Sequence, residues 1–280
     1  MNPPQKSLEE LLQDALSVNR DIRQPTETAI NNLAKENLSL FLTKLGEILY
    51  SEQKTTPIRQ MSAILFKNIL IRDPENISTY LTKISAEEKK NIRELVLGSL
   101  ASNFKEIRTI TSTLIASICE IEKPIEQKWP ELLSSLTGNC FNDNLNLKLS
   151  AIETLGYVCE ELSIKDISEG TLTNILNALV GNLKDNINNK DVIEYSIKAF
   201  TNCIRICEKY FGAEKERNII MDAIFNIIKQ YQNQDDILDK IALLFIEMLS
   251  RSNFYDYLEF CMPQILEFSF YLTIAFIPIR

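Results

Sequence analysis

The sequence predicts an all-α chain of stacked helix pairs, and three observations predict it. First, a helical segment returns at a spacing of about 45 residues: Ala151-Ile152 with Leu155, Ser196-Ile197 with Phe200, and Ala242-Leu243 with Ile246. A small residue followed by apolar ones at i+1 and i+4 marks a helix whose backbone packs closely on a neighbour. Second, successive segments carry apolar residues at i, i+3, i+4 and i+7, the broad face of an amphipathic helix. Third, glycine is scarce, 7 in 280 residues, although strands joined by tight turns need it often. A period of roughly 40–47 residues with two helices is that of HEAT and armadillo repeats. The expected fold is a right-handed α-solenoid of HEAT repeats, about six helix pairs in one continuous stack over residues 1–280.

The first expected pair runs from about Arg20 to Glu36 and then from Leu38 to Tyr50. Pro25 must sit in the first turn of its helix, because deeper it removes a hydrogen bond and clashes with the preceding turn. Five further first helices follow. Thr56 caps one and Pro57 takes its first position, with Ile58, Met61, Ile64, Leu65 and Ile69 as its apolar face. Asn103, Asn146, Asn189 and Asp235 open the others, whose faces centre on Ile115, Ile152, Ile197 and Ile241. Each is paired with the helix after it: Glu87–Leu100, the segment opening at Trp129-Pro130-Glu131, Thr171–Leu183, Glu214–Tyr231 and Tyr255–Phe268. The Asn- and Asp-rich joints, such as Asn142-Asp143-Asn144 and Gln232–Asp236, are turns and caps. Residues 269–280 are apolar without a stripe, whereas a terminal repeat needs a polar outer face. They are expected to be an atypical end, that of a chain cut from a longer solenoid or of a non-native tail.

Composition excludes several function classes. The formal net charge of -8 suits basic partners and disfavours phosphate backbones. Basic residues are not interleaved with aromatics, so no nucleic-acid partner is expected. No run of about 18 apolar residues is present, so no membrane insertion is expected. The 6 cysteines include no C-x-x-C, and most lie in apolar helical pattern, as in a reducing compartment. Histidine is absent, which removes Ser-His-Asp and Cys-His catalysis and histidine metal sites. The carboxylate pairs Glu87-Glu88 and Glu160-Glu161 are adjacent in sequence and do not face one point on a helix. Cys203 and Cys207 share a helix face but have no second ligand pair nearby, so no metal is expected. No phosphate-binding glycine motif occurs, so no nucleotide cofactor is expected. An enzyme is not expected.

What remains is surface. Leu176 and Val180, with Ile219 and Ile220, lie on successive second helices and line a groove suited to an aromatic side chain, unless they only pack inward. At this point the chain resembles a known family. Lys128-Trp129-Pro130-Glu131-Leu132-Leu133 and Ala151-Ile152-Glu153-Thr154-Leu155-Gly156-Tyr157-Val158-Cys159-Glu160-Glu161 resemble the amino-terminal part of the importin-beta (karyopherin-beta) family. Leu65-Phe66-Lys67-Asn68-Ile69-Leu70 is similar to its second repeat, and Glu214–Met221 to its fifth. The resemblance spans about residues 20–262.

The resemblance implies a nuclear import receptor fragment found in cytoplasm, nucleus and nuclear pore. It implies binding of Ran in its GTP form and of Phe-Gly nucleoporins, with an importin-alpha adaptor or cargo held mostly by regions after residue 280. It implies an amino-terminal Ran-binding region over about residues 20–100 and further repeats over about 101–268. Lys67, Asn68 and Arg108 would contact Ran. Leu176, Asn177, Val180, Glu216, Ile219 and Ile220 would form a Phe-Gly pocket, with Asn177 and Ile219 standing where the family often has Thr and Phe. The alternative class is a HEAT scaffold of a multiprotein complex, such as a phosphatase scaffold, without Ran binding.

Overall fold

The computed structural model describes residues 6–250 and shows helices and turns there, with no strand among the described residues. The expected helix at Tyr255–Phe268 and the atypical end at 269–280 lie outside the described residues. The described residues fall into two compact units. One holds the chain up to Lys123 together with Asn144–Ser150; the other holds Pro124–Asp143 and the chain from Ala151 on.

In the first unit the helices are α1 (Leu8–Ala15), α2 (Arg20–Glu36), α3 (Leu38–Tyr50), α4 (Thr56–Arg72), α5 (Pro74–Thr82), α6 (Ala86–Gly98, closed by a 3₁₀ turn at Ser99–Ala101) and α7 (Lys105–Ile121). α3 packs along α4 and along α6, and α4 packs along α7. Two layers result, one holding α3 and α6, the other α4 and α7. The second unit contains α8 (Ile125–Lys128), α9 (Glu131–Asn139), most of α10 (Leu145–Glu161), α11 (Glu169–Asp185), α12 (Lys190–Phe211), α13 (Glu214–Gln230) and α14 (Asp235–Leu249). α11 lies between α9 and α13 and packs along α12, which packs along α14.

The pairing therefore differs from the expected one. α4 pairs with the helix before it, α3, and α12 packs more extensively on α11 than on α13. The sequence placed helices well but paired α4 and α12 with the wrong neighbour, because connection length alone does not say which side a helix closes on. Three short helices, α1, α5 and α8, carry too few turns to show a period and were not expected. The third copy of the repeated segment is also one residue out of register. Leu243 and Ile246 are 60% and 62% exposed, and α14 instead buries Ile241, Leu244, Phe245 and Met248.

Helix starts differ by a residue or two from those expected, and Thr55, Phe104 and Gln234 make no side-chain cap bond. Thr55, not Thr56, is the cap of α4, and Pro57 follows in its first turn. Phe104, one residue after Asn103, stands at the cap of α7, and Gln234, one residue before Asp235, at that of α14. For α10 the Asn144 side chain accepts from the Leu147 N–H, which displaces Asn146 as the opening residue. Asn189 caps α12 as expected, accepting from the Val192 N–H. Pro25 is not in the first turn: Asn19 caps α2, so Pro25 falls inside the helix. There it removes the helix bond to the Asp21 carbonyl, and the next residue, Thr26, donates its hydroxyl to the Ile22 carbonyl at 2.8 Å.

A buried arginine recurs at the fourth position of three helices. Arg59 in α4, Arg108 in α7 and Arg217 in α13 are 0%, 8% and 7% exposed. Each donates backward. Arg59 Nε reaches the Leu49 carbonyl at 2.8 Å, Arg108 the Ser102 carbonyl at 2.9 Å, and Arg217 the Phe211 carbonyl at 3.3 Å. A cation in a helix's first turn opposes that helix's own dipole. Here it satisfies carbonyls left without partners where the preceding element ends, which favours a cation. Arg59 also pairs with Glu52 at 2.9 Å. Burial would raise the Glu52 carboxyl, but hydrogen bonds from Ser102 and Arg59 outweigh it and hold it below the usual range. α5 is tied in similarly: the Tyr80 hydroxyl and Arg93 donate to one oxygen of buried Glu122, at 2.7 and 2.6 Å. Burial, then the Glu122 charge, pushes the Tyr80 hydroxyl up.

Ser85 and Glu88 form a capping box at the start of α6, and the Glu88 carboxylate also accepts from Ser39 on α3 at 2.7 Å. The Ser85 hydroxyl, then Ser39, then the Ser85 N–H hold the Glu88 carboxyl down at about 2. A carboxyl lower in the folded than in the unfolded chain adds stability above its unfolded value and loses it as pH falls toward the folded one. Glu88→Gln is expected to flatten melting temperature against pH between about 4.5 and 2, and the two proteins should converge at the acid end. Parallel curves across that window would rule this role out.

Candidate docking surfaces

The predicted ring pocket is brought together on α11 and α13, which are neighbours. α11 is fixed at its start by Ser168, which caps the helix through the Thr171 N–H. The Glu126 carboxylate on α8 accepts from the Ser168 N–H and hydroxyl and from the Thr171 hydroxyl. Burial would raise that carboxyl, but these bonds hold it below the usual range. α13 starts with Glu214 and Glu216 in its first turn, the favourable sign for its dipole.

Within the pocket the six residues divide. Leu176, Val180 and Ile220 are 6%, 7% and 3% exposed and pack inward. Asn177 is exposed and Glu216 half-buried, while Ile219 is 41% exposed. The surface thus offers one aliphatic side chain flanked by an amide and a carboxylate over an apolar base.

In the first unit, Lys67 and Asn68 are half-buried on α4. Arg108 lies on the adjoining α7, its guanidinium committed to the Ser102 carbonyl. Asn68 also lines an open groove of about 590 Å³ between α2 and α4. Met61, Ile64 and Leu65, expected in the core, line this groove instead. Ile64 is 41% exposed, whereas the core face of α4 is Ile58, Ala63, Phe66, Ile69 and Leu70. A period of 3.6 shows that a helix has an apolar stripe but not how wide a neighbour covers it. Lys35, Arg72, Asp73 and Glu27 add charges of both signs at the groove.

Among the described residues no cluster of His, Cys, Asp or Glu could hold a metal ion, and no helix is long and apolar enough to cross a membrane. Five cysteines, Cys119, Cys140, Cys159, Cys203 and Cys207, are free and buried. Burial pushes the Cys203 and Cys207 thiols well up, the state of inert structural cysteine.

Fold and surface together define a HEAT-repeat protein whose surfaces are grooves between successive helices. Residues 26–102 match the importin-beta N-terminal domain. Importin subunit beta-1 of Arabidopsis thaliana is 28% identical over 251 residues, covering 86% of this chain and 29% of that protein. Importin subunit beta-1 of Saccharomyces cerevisiae is 27% identical over 217 residues, 75% of this chain and 25% of that protein. Among solved structures, Kap95p with RanGDP superposes with a TM-score of 0.82 at 26% identity, over 95% of this chain and 31% of that one. The Kap95:Nup1 complex gives 0.78 at 26% identity, again over 95% of this chain and 31% of that one. Residues 26–102 thus carry the likeness to the importin-beta N-terminal domain, and the chain spans less than a third of the length of these relatives.

Proposed function

We propose that this chain acts in protein import into the nucleus by docking two partners at separate surfaces. Ran in its GTP form binds the α2, α4 and α7 face, within an amino-terminal region of about residues 20–100 and the adjoining α7. Lys67 and Asn68 supply direct polar contacts there, and Arg108 holds the Ser102 turn beside them. Uncovered Met61, Ile64 and Leu65 supply the apolar part of that surface. Phe-Gly nucleoporins bind between α11 and α13, with a ring against Leu176, Val180, Ile219 and Ile220 and the peptide backbone against Asn177 and Glu216. The protein then works in cytoplasm, nucleus and pore, and an importin-alpha adaptor or cargo completes the complex.

What carries this reading is the pair of solved relatives, one with RanGDP and one with Nup1, each matching 95% of the chain. The Phe-Gly contact must stay weak and multiple, so that avidity retains the receptor without trapping it. The full chain is expected to capture Ran loaded with GTP in preference to Ran loaded with GDP. Equal or absent capture would favour a scaffold without Ran binding. Ile219→Asp is expected to weaken a Phe-Gly peptide about tenfold or more, about 1.4 kcal/mol, with an unchanged circular dichroism spectrum. Unaltered affinity would place the pocket elsewhere.

A further inference from the structure

The ring pocket between α11 and α13 depends on where α11 stands, and a side chain outside the pocket holds its start. Glu126 lies on α8, 45 residues before Thr171. A single oxygen of its carboxylate, Oε1, accepts three bonds from the cap and first turn of α11. The Ser168 N–H donates at 3.0 Å, the Ser168 hydroxyl at 2.9 Å and the Thr171 hydroxyl at 2.5 Å. Bonds to a charged acceptor are roughly twice as strong as neutral ones. The far end of α11 is tied separately. Asn182, fully buried, donates to the Cys140 carbonyl just after α9 at 3.0 Å. Beside it, Gly181 lies against the Phe141 ring, which a Cβ there would approach to 3.3 Å. Leu176, Asn177 and Val180 stand between these two ties. Lys209 and Tyr210 of α12 also reach α11, at Glu169 and Thr173, and they hold it to α12. The Glu126 tie runs instead to the segment that leads into α9, and α9 and α13 flank α11.

We propose that Glu126 is a positioning residue for the ring pocket: by holding the start of α11 to α8, it sets the width of the groove between α11 and α13. The inference rests on the Phe-Gly reading of that pocket. Glu126 touches no ligand and acts through α11. A helix rises about 1.5 Å per residue, which puts Thr171 about 16 Å and Leu176 about 9 Å from Asn182. With the far end tied, a displacement of the start therefore reaches Leu176 at about half its size. A binding constellation works when its parts are held within about 0.5 Å. A shift of about 1 Å at the start of α11 already moves Leu176 by that much. Without Glu126 the start of α11 is free to move toward α13, and a bound ring must order it again, which weakens binding.

The test uses the full chain and a synthetic peptide with one Phe-Gly motif, with affinity measured well below the melting temperature of every variant. Glu126→Ala is expected to weaken the peptide about fivefold with an unchanged circular dichroism spectrum. Glu126→Gln keeps an acceptor oxygen at the same place and should restore affinity to within about twofold of the unmodified chain. Thr171→Val, a milder change that removes one of the three bonds, should cost part of the affinity, and adding it to Glu126→Ala should cost little more. A tie that serves stability alone would lower the melting temperature of Glu126→Ala and leave its affinity unchanged. That result, or a glutamine variant as weak as the alanine one, overturns the positioning role. If Glu126→Ala does not fold, Thr171→Val decides, and unaltered affinity there overturns the role. A peptide that does not bind the unmodified chain, or binds Ile219→Asp equally well, overturns the ring pocket itself, and this failure is distinguishable from the first.

Discussion

Arg59→Ala is expected to lower stability by about 3 kcal/mol, the cost of orphaning a buried carbonyl and leaving a cavity where a large side chain stood. Arg59 is fully buried, and its Nε bonds the Leu49 carbonyl while its terminal nitrogen pairs with Glu52. Glu52 in turn accepts from Ser102 beside α7. The loss therefore loosens three connections at once: the end of α3, the start of α4, and the turn into α7. For a chain of this size the melting temperature should drop by about 6–12 °C. Arg59→Lys keeps the charge but not the fork that reaches both partners, so it should recover only part of the loss. If alanine leaves the melting temperature within about 2 °C, the arginine does not tie these elements together.

Gly156→Val is expected to cost about 3 kcal/mol, the upper part of the usual range for overpacking. Gly156 lies on α10 against α12. A Cβ placed there would come within 2.8 Å of the Ala199 Cα and 3.0 Å of its Cβ. The first of these is backbone, which cannot rotate away, so the helices must separate. Gly156→Ala should already show most of the effect, because its first added atom meets the clash. The double variant Gly156→Ala with Ala199→Gly should recover part of it, since it moves the methyl to the other helix. Calorimetry on these variants decides the matter, and an alanine variant as stable as the parent would show that α10 and α12 do not approach this closely. The rescue also bears on docking, since α12 packs along α11, a wall of the proposed ring pocket.

The two effects differ in how visible they are in the sequence. The small residues of the repeated segment, Ala151 and Ser196, pointed to close helix approach, and both are fully buried. The tightest contact, however, is Gly156 on Ala199. It depends on where two helices cross, and no spacing within either helix encodes that. Arg59 and Arg217 read as ordinary charged residues in helix starts, and Arg108 as a Ran contact. Their common role emerges only when each preceding helix end is placed beside them.

The same division runs through the candidate sites. The sequence named Leu176, Val180 and Ile220 as groove residues by their helical spacing, and the structure buries all three. It did not separate them from Ile219, which is the exposed one. It also assigned Met61, Ile64 and Leu65 to the core, whereas α2 and α4 leave a groove there.

By itself the sequence determined that the chain is helical, roughly where each long helix runs, that its apolar faces recur with a repeat period, and which family it resembles. Local forces encode these features: side-chain periodicity, caps and turn residues act within a few positions of one another. Tertiary structure alone decided which helix pairs with which, which apolar residues stay uncovered, and which charged groups are withdrawn from the surface. Those outcomes depend on contacts between residues far apart in the chain, where a single residue of register or a single glycine sets whether two helices meet.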